Sequence, residues 1–371
     1  MIQLYGVTLR RIGSRVLAGI DAPLFFMSIT LLGLGFAALY SASDQSVARV
    51  ANQAGNALLG LTAMWVFAKI PPQRLMRFAP LAYVLGLLLL IAVMLFGDVI
   101  NGARRWLHVG VTRFQPSEIM KLAVPLMLAW FFHRNESSLR LRDFAIAGIL
   151  LAIPVALIAK QPDLGTALLV GAAGAYVIFF AGIGWKVIVS LALVAAATGP
   201  FLWGILHDYQ RQRILTLLDP SQDPLGAGYH IIQATIAVGS GGFTGKGWLH
   251  GSQAHLEFIP ERHTDFIFAV YSEEFGLLGN SLLLALYALL VARGLMIAAN
   301  APTFFSRLLA SSLTLVFFTF VFVNIGMVSG ILPVVGVPLP FMSYGGTALL
   351  TLFTAIGMLM SIHRNRNLVQ T

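Results

Sequence analysis

Residues 78–97 read FAPLAYVLGLLLLIAVMLFG, twenty positions without a single charge. Twenty apolar residues wound as a helix rise about 30 Å, the thickness of a bilayer's hydrocarbon core. Similar runs lie near 23–42, 50–68, 117–132, 144–159, 164–182, 185–206, 266–292, 308–329 and 343–362. The runs at 117–132 and 144–159 are short, and Asn52, Gln53 and Asn56 interrupt the one at 50–68, so these are the weakest signals. With 58% hydrophobic and only 11% charged residues among 371, the chain has too little polar surface for a soluble protein. We therefore expect an all-α polytopic membrane protein of about ten transmembrane helices, with residues 1–371 forming one integral domain. Arg10, Arg11 and Arg15 precede the first run as in a secretory signal. That run is too long for a signal's apolar region and no small-residue cleavage site follows, so it reads as a first span.

Charge orients the spans. If both termini lie inside, the inner segments hold fourteen of the 24 cations and three acids, and the outer segments hold nine of each. Positive loops stay on the cytoplasmic side, which predicts an N-in, C-in chain. The net charge of +9 is then a topology signal and calls for no nucleic-acid partner. Cysteine is absent, which excludes disulfides and thiolate metal sites.

The same topology leaves one large outer loop, about 207–265, between the seventh and eighth spans. Leu206 to Asp265 holds five of the eight histidines, six of the fifteen acids, and a glycine-dense run from Gly239 to Trp248. That run reads as a flexible turn or, less readily, as a phosphate-cradling nest. It lacks Walker A spacing. Residues 229–238 are apolar but too short to span, and suit a helix lying at the interface. The histidines (His207, His230, His250, His255, His263) match no compact zinc site. A carboxylate-bound Mg²⁺ or Mn²⁺ shared with a substrate phosphate is left open, with no metal-ligand residues assigned.

Four outer features carry candidate chemistry. Asp265 ends the loop at the top of the eighth span, as an N-cap, as a working carboxylate, or as both. Glu273, nearer its helix face than Glu274, is the expected further cavity residue. On the fourth span Ser117 is a plausible N-cap, and Glu118 and Lys121, three residues apart, share a face. An unpaired charge there would cost about 2.5–3.5 kcal/mol, so the two are expected to pair, either structurally or, with Arg49, Arg104 and Arg105, as part of a basic patch for a lipid-borne phosphate. Asp163, in Lys160 to Thr166, caps the sixth helix or lines a cavity. The uncharged turn Gly330 to Pro340 should pack against protein, because irregular backbone cannot face lipid.

The motifs Arg113-Phe114-Gln115-Pro116-Ser117-Glu118, Gln161 to Thr166, Asp208 to Arg213, Asp223 to His230, Gly245-Lys246-Gly247-Trp248, Pro260 to Phe266, and Asn324 to Gly346 run in order from first span to last. In them the chain resembles the SEDS family of bacterial shape, elongation, division and sporulation proteins, and its rod-shape branch more than its division branch. The resemblance implies a ten-span peptidoglycan glycosyltransferase that polymerises lipid II on the outer leaflet. It also implies a monofunctional class B penicillin-binding protein as cross-linking partner. It makes Asp265 the essential acid, and associates Glu118, Lys121, Arg49 and Arg105 with a central outer cavity.

The residues suit that chemistry. Joining an α-linked lipid pyrophosphate donor to a 4-hydroxyl with inversion needs one base, for which Asp265 is the candidate. It also needs cations on the leaving pyrophosphate. Lys121, Arg105, Arg49, Arg211, Arg213 and Lys246 are the candidates, with Asp163 and Arg262 as further substrate contacts. Two other readings are a lipid II flippase and a non-catalytic scaffold for the penicillin-binding protein.

Overall fold

The computed structural model describes residues 19–100, 103–109, 112–205, 208–222, 226–252 and 261–366. His207, Asp223, His255 and Glu257 lie outside the described residues, as does the side chain of Arg213.

A helix stands at each apolar run. The first six are α1 (Ala22–Ala42), α2 (Val47–Lys69), α3 (Pro72–Phe96), α4 (Pro116–Arg134), α5 (Leu141–Lys160) and α6 (Leu164–Phe180). Then come α7 (Trp185–Ile205), two loop helices α8 (Asp208–Leu218) and α9 (Ala227–Ser240), and α10 (Ile267–Ala299), α11 (Phe304–Val328) and α12 (Gly346–Arg364). Among the described residues, α1, α3, α5, α10, α11 and α12 are long and apolar enough to cross a membrane. Short side chains start several of them. Asp21 accepts from the Leu24 N–H at 3.0 Å, Thr303 from Ser306 at 3.2 Å, and Asp163 from Thr166 at 3.2 Å. Pro72 starts α3, where a missing N–H costs nothing. The expected Ser117 cap is a correction: the cap position is Gln115, and Ser117 is the buried second residue of α4 because Pro116 already opens the helix.

The bundle centres on α4 and α11. Helix α4 packs against α3, α6 and α11; α11 packs against α6 and α10; and α12 lies along α2. That last approach requires a small residue, since a Cβ on Gly357 would sit 2.5 Å from the Met64 carbonyl oxygen. The perimeter is apolar. Leu81, Leu85 and Leu88 of α3 and Ile149 and Ile153 of α5 are exposed, as lipid-facing side chains are. At the end away from the loop, Arg293 grips the Asp21 carboxylate through Nε (3.2 Å) and Nη2 (2.5 Å), and His363 Nε2 lies 3.4 Å from the same carboxylate. These contacts tie α1, α10 and α12 together.

Two local structures depart from expectation. Between α3 and α4 the chain forms an antiparallel ribbon, β1 (Asp98–Ile100), β2 (Ala103–Val109) and β3 (Thr112–Phe114), with Asp98 opposite Trp106 and Leu107 opposite Phe114. The dipeptide Asn101-Gly102 between β1 and β2 is a hairpin signal that an all-helical reading passes over.

The second is a broken helix. Gly276 takes φ 62°, ψ −160° inside α10, and the backbone groups this frees are taken up by the glycine run. Lys246 and Gly247 N–H donate to Glu273 and Glu274 carbonyls at 3.0 Å each, while Leu277 and Leu278 N–H donate to Gly242 (2.9 Å) and Phe243 (3.0 Å). The approach excludes side chains: a Cβ on Gly245 would lie 2.0 Å from the Glu274 carbonyl oxygen. The run is thus neither a loose turn nor a phosphate nest, because the Gly245, Lys246 and Gly247 N–H groups all point at protein carbonyls.

Candidate active site

A polar cavity of about 240 Å³ opens at the loop end of the bundle. Its wall brings together Arg105 and Trp106 of β2, Glu118 and Lys121 of α4, Asp163 and Thr166 at the start of α6, Thr264 and Asp265, and Gly336 to Pro338 of the last turn. An apolar cavity of about 300 Å³ between α2, α3, α4 and α12 adjoins it, sharing Glu118 and Thr347.

Three carboxylates line the polar cavity, and their environments differ. Glu118 is buried with Lys121, whose Nζ lies 2.6 Å from Oε1 and 4.7 Å from the Phe320 ring centroid. Glu118 Oε2 is buried without a hydrogen-bond partner among the described residues. Asp163 both caps α6 and lines the cavity: Oδ1 takes the Thr166 N–H, and Oδ2 takes the Gln115 amide at 3.0 Å. Asp265 is different. It does not cap α10, whose cap position is Phe266, and no described group donates a hydrogen bond to its carboxylate. Its backbone faces the protein and its side chain faces Gly336, where a Cβ would lie 3.3 Å from Oδ2. Burial, reinforced by the charge of Glu261, pushes its pKa up to about 6.

The cations divide. Lys121 and Arg105 line the cavity; Arg105 is anchored by Nη2 on the Pro162 carbonyl, while its Nε is buried without a partner among the described residues. Arg104, next along the strand, is exposed and reaches back to the Met94 carbonyl, as alternation requires. Arg49 is exposed at the start of α2, outside the cavity lining. Burial first, and Arg49 next, hold the neighbouring His263 imidazole below its usual pKa.

The remaining candidates with described side chains, Lys246, Glu273, Arg262 and Arg211, are not brought to the cavity. Lys246 pairs with Glu273 at 2.6 Å, and Ser252 joins them. Glu273 is therefore a correction: it is fully buried under the loop, as is Glu274, which accepts from the Ser41 hydroxyl and the Leu249 N–H. Arg262 forms an ion pair with Asp44 of the α1–α2 turn. Arg211 on α8 donates to the Gly204 carbonyl at 2.7 Å. These are loop-fastening contacts. Sequence reasoning missed Gln115, Thr166 and Tyr344 as lining residues and gave Asn324 and Ser343 no role. Asn324 carried a signal, being the only amide side chain of α11. Among the described residues no group of three or more His, Asp or Glu side chains could hold a metal ion.

The Glu118–Lys121 pair makes a stability prediction. Removing one partner strands a buried charge, worth about 3–5 kcal/mol, whereas neutralising both does not. Lys121→Met should lower the melting temperature in detergent more than Lys121→Met/Glu118→Gln does.

Comparison with known proteins agrees with this architecture. The family model described as "Cell cycle protein", covering FtsW, RodA and SpoVE, matches residues 22–368. Peptidoglycan glycosyltransferase MrdB of Escherichia coli K12 is 52% identical over 351 residues, covering 94% of this chain and 95% of that protein. Peptidoglycan glycosyltransferase RodA of Treponema pallidum is 31% identical, over 94% and 98% of the two chains. A chain solved in a peptidoglycan synthase complex that coordinates polymerization and crosslinking superposes with TM-score 0.82 at 36% identity, covering 93% of this chain and 98% of that one. Thermus thermophilus rod shape determining protein RodA superposes at 0.72 with 30% identity, over 93% and 97%. With almost its whole length matched in sequence and in fold, the chain belongs to the FtsW, RodA and SpoVE family of integral membrane proteins.

Proposed function

We propose that this chain is a peptidoglycan glycosyltransferase that polymerises lipid II into β-1,4 glycan for wall elongation, working at the outer face of the bacterial plasma membrane. The observation that carries the reading is the meeting of Asp265, Lys121 and Arg105 on one polar cavity beside an apolar one. Its relatives named as peptidoglycan glycosyltransferases support the activity. Asp265, the one lining carboxylate without a donor among the described residues, takes the proton of the acceptor's 4-hydroxyl as that oxygen attacks the anomeric carbon. Pyrophosphate leaves as an anion toward Lys121 and the Arg105 guanidinium, whose Nε has no hydrogen-bond partner among the described residues. Glu118 holds Lys121 in place. The apolar cavity suits a polyprenyl tail. A Mg²⁺ or Mn²⁺ ion would add positive charge at the pyrophosphate; with Glu118 and Asp163 already engaged, it would take most of its ligands from the substrate.

The partner is a class B penicillin-binding protein, a reading that the solved complex of polymerization with crosslinking supports. Arg49, Arg211, Lys246 and Arg262 are reassigned away from direct leaving-group contact. For Lys246, Arg262 and Arg211 the contacts that fasten the loop support this, and for Arg49 its place outside the cavity lining does. We keep Arg213 as a candidate substrate contact.

Two measurements test the reading. Purified protein in detergent, given lipid II, should make glycan, and Asp265→Asn should lose at least about 10²-fold. A transporter or a scaffold makes no polymer in that assay, and a fully active Asp265→Asn would exclude the base role. The base must be ionised, so kcat/KM should rise as pH increases through about 6. Glu261→Gln removes a neighbouring negative charge and should move that midpoint down; an unmoved midpoint would assign the titration to another group.

A further inference from the structure

The backbone of the segment before α10 is held by three donors in succession. The carbonyl of His263 accepts from the Tyr344 N–H at 2.9 Å. That of Thr264 accepts from the Ser343 hydroxyl at 2.7 Å. That of Asp265 accepts from the Asn324 amide at 2.9 Å. Tyr344 contributes only its main chain, so two side chains, Ser343 and Asn324, complete the clamp.

Asn324 sits one turn before the end of α11 and is fully buried. Its Nδ2 bridges two carbonyls, Asp265 at 2.9 Å and Val337 at 2.7 Å. Both neighbours are acceptors, so only the NH₂ group can face them, and the orientation of the amide is forced. Oδ1 is consequently left buried with no partner among the described residues. A buried acceptor without a donor destabilises the fold, so a residue serving packing alone would be apolar here. What the amide does is join two separate segments that both line the cavity. Ser343 is likewise doubly engaged, accepting from the Leu339 N–H at 2.7 Å while donating to Thr264.

We infer that Asn324, assisted by Ser343, is the positioning residue of the active site: by fixing the Asp265 and Val337 carbonyls it aims the Asp265 carboxylate into the cavity. Turning all three carbonyls of residues 263–265 into the protein leaves the Asp265 side chain the cavity side. The carboxylate has no donor of its own among the described residues, so its direction is set through the main chain. Gly336, whose Cα faces Oδ2, belongs to the same strip that Asn324 holds through Val337. This inference rests on Asp265 acting as base.

The test uses the full-length protein with lipid II, measuring kcat, KM and the pH midpoint for Asn324→Leu, Ser343→Ala and Asp265→Asn alongside the wild type. Asn324→Leu keeps the branched shape and the number of heavy atoms with a somewhat larger volume, removes the orphaned acceptor and withdraws both donors. A misaimed group costs up to about 10²-fold, so kcat should fall about 10- to 100-fold with KM held within about threefold. The pH midpoint should drop as the carboxylate turns toward water. A purely structural role would lower the melting temperature and the active fraction and leave the midpoint in place. If Asn324→Leu folds and its kcat or its midpoint matches the wild type, the inference is overturned. If it fails to fold, Ser343→Ala decides in the same way, with the same signature supporting the clamp and wild-type values overturning it. An inactive Asp265→Asn beside wild-type clamp variants sinks this inference alone; an active Asp265→Asn sinks the base reading with it.

Discussion

A helix interrupted inside an apolar bundle must find new partners for the backbone groups it releases, because no water is there to take them. At Gly276 of α10 those partners are the carbonyls and N–H groups of residues 242–247. The large loop is therefore fastened by its main chain to the middle of the helix that follows it. The nine residues from Ile267 to Phe275 form a short rigid piece between that clasp and the carbonyl clamp at 263–265. The position of Asp265 depends on both ends of the piece. Glycine at 245 and 276 is a consequence of this close approach, as are the buried Glu273 and Glu274 beneath the loop, engaged by Lys246, Ser41 and Leu249.

The cavity that results is asymmetric in a useful way. Of its three carboxylates, Glu118 spends its charge on Lys121 and Asp163 spends its oxygens on a helix start and on Gln115. Only Asp265 stands without a described donor, and burial beside Glu261 raises its pKa toward the range where a base works near neutral pH. Positive charge comes from the same lining, through Lys121 and Arg105. One carboxylate without a described donor and two cations on one cavity fit a single displacement with an anionic leaving group, in which no second carboxylate is needed as acid.

The helices were legible because apolar length is a local signal summed over long windows. Asp265, Glu118 and Lys121 were legible because charges at span ends are few and costly. What sequence could not convey was pairing across distance. Lys246 and Arg262 look like phosphate ligands until Glu273 and Asp44, 27 and 218 residues away, are seen beside them. The glycine run reads as a flexible turn or a nest until the broken α10 is known to need its N–H groups. Asp265 looks like a cap until Phe266 takes that place, and Asn324 gains meaning only when Asp265 and Val337 converge on it. The β1–β3 ribbon is the exception, since its Asn-Gly signal was local and was simply outweighed by the helical context.

The central claim is that Asp265 accepts a proton and never the sugar. It is tested most directly by the intact mass of the protein after incubation with lipid II whose acceptor 4-hydroxyl is blocked. A base leaves the protein mass unchanged, because no bond to the sugar forms without an acceptor. A glycosyl adduct mapping to Asp265 would identify a nucleophile and a double displacement, and would contradict the account.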